Sequence, residues 1–358
     1  MNLLVVGLSH RTAPLELREL LAIPSRELPD TLGDLHTQFG IDEAVILSTC
    51  NRVEIYVITP DPSATSYGLI DFLSHRSHVA PEAFQSRMYC LTGPDAVRQL
   101  FGVTAGLDSM VLGESEITAQ VKQAYRVAQT EETTGLVLHR LFQKALHTAK
   151  VIRSKTRLGF GQASIGSIVV ALARKLFEGQ LQNCEVLLWG AGKAAESTAR
   201  YLIKNGVGQL WIVNRTPLKA RDLATLCQSG WLSWEQALKH LAHVDIAIVC
   251  TQAPHYVIDQ GDLDAVAAQR GSRPLCLVDL AVPRNVEPSL ARHPGVRLYN
   301  IDDLQTITQA AQSQREQERE RSDALIQEQV NHFSRWWMAV SHKKEDVPCR
   351  SVEAFSSV

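Results

Sequence analysis

No apolar run in this 358-residue chain passes eight residues, so nothing in it has the length of a membrane-spanning helix. A charged leader with an apolar stretch is missing too: the first residues form a short strand-like run, which argues against a secretory signal. The seven cysteines, at 50, 90, 184, 227, 250, 276 and 349, are odd in number and show no CxxC spacing. They read as reduced thiols of a soluble cytoplasmic protein. Charge of one sign is lacking as well. With 36 basic against 38 acidic residues the net charge is −2, which argues against nucleic-acid binding driven by bulk electrostatics. A local basic face recognising one folded RNA remains open. Arg140, Lys144, Lys150, Arg153, Lys155 and Arg157 form such a cluster on an expected helix, where a solvated face is the plainer reading. No internal repeat is evident.

What is there is a chain with 45% hydrophobic residues, enough for two or three globular domains and too many for general disorder. The first 130 residues alternate short strands with helices, which predicts an α+β domain. Strand-like runs fall at Leu3 to Gly7, Ala44 to Leu47, Val53 to Ile58 and Met88 to Leu91, and Pro14 marks a helix start. The pattern turns helical from Asp95 to about Val127, with interruptions at Gly106 and Gly113. One long helix follows from Thr133 to Arg157, and Gly159-Phe160-Gly161 breaks it at a natural hinge. From Ser164 the rhythm becomes βαβ: a helix from Ile165 to Phe177, then strands at Val186–Trp189, Leu210–Val213, Val244–Val249 and Leu275–Val278. That is the signature of a doubly wound parallel sheet. One long polar helix is expected from Asp302 to about Val340.

The first chemical signal is Cys50, within Leu47-Ser48-Thr49-Cys50-Asn51-Arg52-Val53-Glu54-Ile55-Tyr56. It stands at the junction of two strand-like runs with a cation two residues on. A free thiol with a pKa near 8.5 is only a few per cent ionised at neutral pH, and a guanidinium or backbone N–H groups would raise that fraction. A small buried hydrophobe is the alternative reading. The second signal is Gly190-Ala191-Gly192-Lys193-Ala194-Ala195 between a buried strand and a helix. The first glycine permits the tight turn, the second lets a pyrophosphate approach the backbone, and the small third residue allows close helix packing. The next strand ends Val213-Asn214-Arg215-Thr216, with an arginine where an NAD site would place an acid. That favours a 2′-phosphate and NADP, against an arginine merely exposed at a strand end. A thiol and a hydride carrier together point to thioester or aldehyde redox chemistry.

Four longer motifs, in order, resemble the glutamyl-tRNA reductase family. They are Gly7-Leu8-Ser9-His10-Arg11-Thr12-Ala13-Pro14, the Cys50 segment, Ala105-Gly106-Leu107-Asp108-Ser109-Met110-Val111-Leu112-Gly113-Glu114, and Asp279-Leu280-Ala281-Val282-Pro283-Arg284. The resemblance implies an α/β multidomain chain. Its parts are an N-terminal catalytic domain with a long spinal helix (1–157), a Rossmann-like NADP-binding domain (158–302) and a shortened helical dimerisation segment (303–358). It also implies NADPH-dependent reduction of glutamyl-tRNA(Glu) to glutamate-1-semialdehyde through a Cys50 thioester, the first step of tetrapyrrole synthesis. A homodimer is implied, with glutamate-1-semialdehyde aminomutase as the candidate recipient of the product. By similarity Thr49, Asn51, Arg52, Ser109, Glu114, Ser115, Glu116 and Gln120 bind the glutamyl end, with Arg52 the partner for the substrate carboxylate. Gly190 to Ala195 and Asn214 to Thr216 bind the cofactor.

Three departures from the family pattern stand out. Gln99 occupies a position that is usually histidine and cannot carry a proton between pH 5 and 8. Glu114-Ser115-Glu116 replaces the usual Glu-Pro-Gln, adding an acid where an anionic substrate binds, unless Glu116 meets the substrate's ammonium group. The C-terminal segment is short, with Phe333, Trp336 and Trp337 as packing anchors, and a dimer through them or a monomer with a solvated helix are both open. These departures support a rival reading, a degenerate paralogue that binds NADP or tRNA in a regulatory role. A shikimate-dehydrogenase-like oxidoreductase explains the βαβ half alone. His10 reads as a buried hydrogen-bonding residue more readily than as a catalyst.

Overall fold

The computed structural model describes residues 1–109, 113, 116–156, 165–308 and 313–345. Expected site residues Glu114 and Ser115 lie outside them, as do Arg157 and the Gly159–Gly161 hinge. The N-terminal half is built on an antiparallel sheet in the order β2-β3-β1-β4, from β1 (Asn2–Ser9), β2 (Ala44–Ser48), β3 (Arg52–Thr59) and β4 (Tyr89–Thr92). Helices α1 (Leu15–Leu21), α2 (Leu28–Phe39), α3 (Pro62–Ser77), α4 (Gly93–Thr104), α5 (Glu116–Thr130) and α6 (Leu136–Lys155) surround it. β3 is buried along its whole length, so both faces of the sheet are covered. That removes the usual alternation of an antiparallel strand and puts its polar residues inside the core.

The spinal helix α6 buries Leu138, Leu141, Phe142, Ala145, Ala149 and Ile152, the apolar stripe its sequence carries at helical spacing. Its other face carries Arg140, Lys144, Lys150 and Lys155, none of them in an ion pair among the described residues. Arg140 lies over the Trp336 ring at 4.4 Å.

The second half is a six-stranded parallel sheet in the order β10-β9-β8-β5-β6-β7. Its strands are β5 (Glu185–Trp189), β6 (Gln209–Val213), β7 (Gly230–Trp231), β8 (Ile246–Val249), β9 (Leu275–Asp279) and β10 (Val296–Tyr299). Helices α7 (Ile165–Leu176), α8 (Lys193–Lys204), α9 (Pro217–Cys227), α10 (Trp234–His240) and α11 (Gln260–Arg270) connect and flank them. Val186 and Leu188 join one apolar cluster, Leu187 and Trp189 the other, so alternate side chains feed cores on both faces of the sheet. The strand order reverses between β5 and β8, the switch point where nucleotides bind in open α/β sheets.

The stretch expected as one helix from Asp302 is described in two parts, α12 (Ile301–Thr308) and α13 (Ser313–Glu345), with 309–312 outside the described residues. Leu304 of α12 belongs to the core of the parallel sheet. α13 lies against α4 and α6 of the N-terminal half, with Ile326, Val330 and Phe333 between 1% and 2% exposed. The aromatic anchors are thus spent inside this chain. Phe333 meets Trp336 and Trp337 with ring centroids at 5.3 and 6.0 Å, and both tryptophans pack on the same core.

Candidate active site

The β2–β3 hairpin presents Cys50 at its tip. Thr49 closes the turn: its hydroxyl accepts from the backbone N–H groups of Asn51 and Arg52, both at 3.2 Å, and its own N–H donates to Arg52 O at 2.9 Å. The Cys50 carbonyl accepts from Arg18 Nη1 at 2.6 Å. Cys50 is half-buried and lines a small hollow of about 70 Å³. From the N-terminal half the hollow takes Thr49, Asn51, Arg52, Ser109, Glu116, Ile117 and Gln120, so every described residue expected at the glutamyl end is brought together. From the other half come Ile165, Ala194, Leu280 and Ile301. Cys50 therefore shares the hollow with the nucleotide turn and the end of β9. Cys250, beside that turn, has its thiol pushed up to about 12 by burial, with Asp279 and Glu116 adding to the rise.

Arg52 is 1% exposed and already engaged. Its Nη1 donates to Glu54 Oε1 at 2.9 Å, and its Nη2 to the Asp108 carbonyl at 2.5 Å and to Asp108 Oδ2 at 2.8 Å. Burial opposes its charge, but Glu54 and Asp108 outweigh that and hold the pKa above the ordinary guanidinium range. Asp108 is shared with Arg11, whose Nε lies 2.6 Å away. A substrate carboxylate reaching Arg52 would have to exchange with Asp108, the more exposed of its two partners.

Glu54 is the centre of this net and carries no exposed surface. Besides Arg52, Gln99 Nε2 donates to Oε1 at 2.8 Å, Tyr89 Oη to Oε1 at 2.5 Å and Tyr56 Oη to Oε2 at 2.6 Å. Burial, then the Glu54 charge, raises the pKa of both tyrosines, so they stay protonated donors. Gln99 is not among the residues lining the hollow. It stands behind Arg52 as an amide donor, a task that needs no titratable proton. Gly7 faces Glu54 across β1 and β3, and a Cβ at Gly7 would come within 2.8 Å of Glu54 Cγ, so the glycine of the first motif makes room for the buried carboxylate.

Other residues fall as follows. Burial raises the Glu116 carboxyl, and Lys193 at the head of α8 partly offsets it. Burial lowers His10 to about 4, so it is a neutral ring at pH 7, with Nδ1 lacking a hydrogen-bond partner among the described residues. Glu54, Tyr89 and Arg18 carry roles that motif reading did not assign. Their signal was positional: Arg52, Glu54 and Tyr56 alternate on one face of a strand, and Arg18 sits between Leu15 and Leu21 on the buried side of α1.

The nucleotide turn has the geometry that a dinucleotide's pyrophosphate requires. Gly190 has φ +123°, and a Cβ there would lie 2.5 Å from the Cys250 carbonyl. Gly192, at the N-cap of α8, has nothing within 4 Å of a Cβ position, which leaves the helix N-terminus open to a phosphate. Ala195 is fully buried beneath it. Asn214 closes the β6–α9 turn on the Thr216 carbonyl at 3.1 Å and leaves Arg215 exposed. Among the described residues no cluster of His, Cys, Asp and Glu could hold a metal ion, and no helix is long and apolar enough to cross a membrane.

A hairpin-tip cysteine that shares its hollow with Ala194 and Leu280 of a doubly wound nicotinamide-nucleotide fold places the chain in the oxidoreductase class. The family model described as "Glutamyl-tRNAGlu reductase, N-terminal domain" matches residues 6–156, and that described as "Shikimate / quinate 5-dehydrogenase" matches 171–307. The glutamyl-tRNA reductase of Thermodesulfovibrio yellowstonii is 37% identical over 373 residues, covering 100% of this chain and 87% of its own. The chain belongs to the glutamyl-tRNA reductase family. The Solibacter usitatus member is 39% identical over 333 residues, covering 93% of this chain and 79% of its own. Among solved structures, "Glutamyl-tRNA Reductase from Methanopyrus kandleri" matches with a TM-score of 0.53 and 31% identity, over 96% of this chain and 82% of that one.

Proposed function

We propose that this chain reduces glutamyl-tRNA(Glu) to glutamate-1-semialdehyde, with Cys50 as nucleophile and NADPH as reductant. The observation that carries the reading is the hollow in which Cys50 meets Ala194 and Leu280 of the nucleotide domain. The Cys50 thiolate attacks the ester carbonyl, the tRNA ribose hydroxyl leaves with a proton, and the glutamyl group stays on sulfur as a thioester. A thiolate suits both halves, as a good nucleophile and then a good leaving group. Thr49, Asn51, Ser109 and Gln120 orient the glutamyl group, and Glu116 meets its ammonium group. Arg52 receives the side-chain carboxylate by exchange with Asp108. Bound in the Gly190–Ala195 turn, NADPH would supply the hydride that takes the thioester to the aldehyde. Arg215 is the residue for its 2′-phosphate, and Arg215→Ala is expected to raise the KM for NADPH while leaving that for NADH unchanged.

The basic face of α6 is the surface for the tRNA, and the protein works in the cytoplasm as a homodimer that hands its aldehyde to glutamate-1-semialdehyde aminomutase. Mixing the chain with glutamyl-tRNA without NADPH, followed by mass spectrometry, tests the core of the reading. A glutamyl adduct on Cys50, lost in Cys50→Ser, is expected together with semialdehyde once NADPH is added. Failure of the wild-type chain to give either product, where another family member succeeds, refutes it and favours the regulatory alternative.

A further inference from the structure

We propose that α1 is a clamp that shuts the nucleotide domain over Cys50 and keeps water from the thioester. The inference rests on the reaction proposed above. Two consecutive residues of α1 reach across the domain boundary with opposite charges. Arg18, 1% exposed, donates through Nη2 to both carboxylate oxygens of Asp302 at 2.5 and 2.7 Å. Glu19 accepts from Arg284, through the backbone N at 2.6 Å, Nε at 3.0 and 3.1 Å and Nη2 at 2.9 Å, and Glu16 adds a longer contact to Nη1 at 3.3 Å. Asp302 lies in the first turn of α12, and Arg284 ends the Asp279–Arg284 motif, which no step of the chemistry has yet used.

What the two bridges hold is the roof of the hollow. Ile301 precedes Asp302, Leu280 lies four residues before Arg284, and both line the cavity beside Cys50. The Arg284 loop is itself fixed: Asp279 Oδ1 accepts from Ala281 N at 3.0 Å, and Oδ2 from Asn285 N and Val286 N, both at 2.8 Å. Arg18 also grips the nucleophile's own loop, at the Cys50 carbonyl (2.6 Å) and Asn51 Oδ1 (3.3 Å). One guanidinium therefore ties the hairpin tip to the opposite domain. Arg18, Glu19, Arg284 and Asp302 are positioning residues.

A thioester has two fates in this site. Hydride at the carbonyl carbon breaks the C–S bond after addition and gives aldehyde plus Cys50 thiolate. Water at the same carbon breaks the C–S bond and gives the carboxylate of free glutamate and the Cys50 thiolate, with two protons released. A shut roof favours the first, and a loosened one admits the second.

The test compares Asp302→Asn, Arg284→Gln and the charge-retaining Asp302→Glu, none of which alters a residue of the hollow. The first readout needs no cofactor: the rate of Cys50 alkylation by iodoacetamide, followed on the Cys50 peptide by mass spectrometry. Asp302→Asn and Arg284→Gln are each expected to raise it about fivefold, the population shift that loss of a partly exposed charge-assisted pair produces. Asp302→Glu should return it toward wild type. The second readout is the ratio of free glutamate to semialdehyde from glutamyl-tRNA with NADPH, expected to rise by a similar factor in both variants. Alkylation rates within twofold of wild type in both overturn the clamp, as does a product ratio that stays constant while total turnover falls. A wild-type chain that gives neither product refutes the proposed reaction instead, while the alkylation rates still decide the clamp.

Discussion

Replacing Glu54 by Gln removes one negative charge from the centre of the N-terminal core while keeping its volume. Four donors converge on that carboxylate, and two belong to groups with almost no exposed surface, Arg52 and Tyr56. An amide oxygen can take over the place of Oε1, and the Tyr56 hydroxyl can turn to accept from the new amide nitrogen, so few hydrogen bonds need be lost. What is lost is half of the charge facing a buried guanidinium, which then depends on Asp108 alone. Breaking a buried pair from one side costs about 3–5 kcal/mol. The lower end applies here, because Asp108 remains in place at 2.8 Å. With a urea dependence of about 2 kcal/mol/M, a loss of about 3 kcal/mol lowers the unfolding midpoint of the N-terminal half by about 1.5 M. The measurement is urea unfolding followed by tryptophan fluorescence, with Trp336 and Trp337 reporting on this core. A midpoint shift below about 0.3 M would mean that Glu54 does not sustain the buried charge of Arg52, and the reasoning fails.

In the same net Gln99 is a hydrogen-bond donor to Glu54. Gln99→His keeps a donor toward Glu54 and should change single-turnover reduction less than about threefold, whereas removal of a true general acid costs on the order of 10² or more; a hundredfold gain would show that a proton carrier was missing there. His10 has a folded pKa of about 4 against 6.5 for an unfolded histidine, so between those values the unfolded chain binds the extra proton and stability falls as the pH is lowered. Compared with wild type, His10→Gln should gain about 3 kcal/mol between pH 7 and pH 4 in urea unfolding, and a constant difference would contradict a half-buried ring held neutral. Phe333→Ala should cost about 3–5 kcal/mol in the same N-terminal transition, while a cost under about 0.5 kcal/mol would mean that α13 is not part of that core.

The legibility of this chain divides along the kind of information each feature needs. The parallel sheet was readable because its signals are local: apolar strands, a glycine turn in the right context, and helices of ordinary length between them. Cys50 was readable as a presented thiol because the turn-forming Thr49 and Asn51 flank it between two strand runs. The hollow itself was not, since it joins residues from 49 to 301 and exists only when two domains meet. Motif resemblance named seven of its twelve lining residues at the substrate end and Ala194 at the nucleotide turn, and Leu280 lies in a quoted motif, but Ile117, Ile165 and Ile301 have side chains too plain to signal contact.

Arg52 shows why a charged residue in a functional motif is hard to assign from sequence. A guanidinium two residues from the Cys50 thiol reads as a partner for that thiol or for a substrate carboxylate, yet β3 is covered on both faces and the side chain lies at 1% exposure between two carboxylates. The clue was the alternation of Arg52, Glu54 and Tyr56, three polar groups on one face of a strand whose neighbours are all apolar. A buried charge survives only when paired, so such a ladder demands partners, and Gln99 and Tyr89 supply the remaining donors. The same logic explains α13. Ile326, Val330, Phe333 and Trp337 recur at intervals of four, three and four along a helix otherwise dominated by charge, a stripe too narrow to raise its average hydropathy but wide enough to seat it on α4 and α6. A helix whose aromatics read as dimer anchors or as part of a solvated surface is thereby one wall of the N-terminal core.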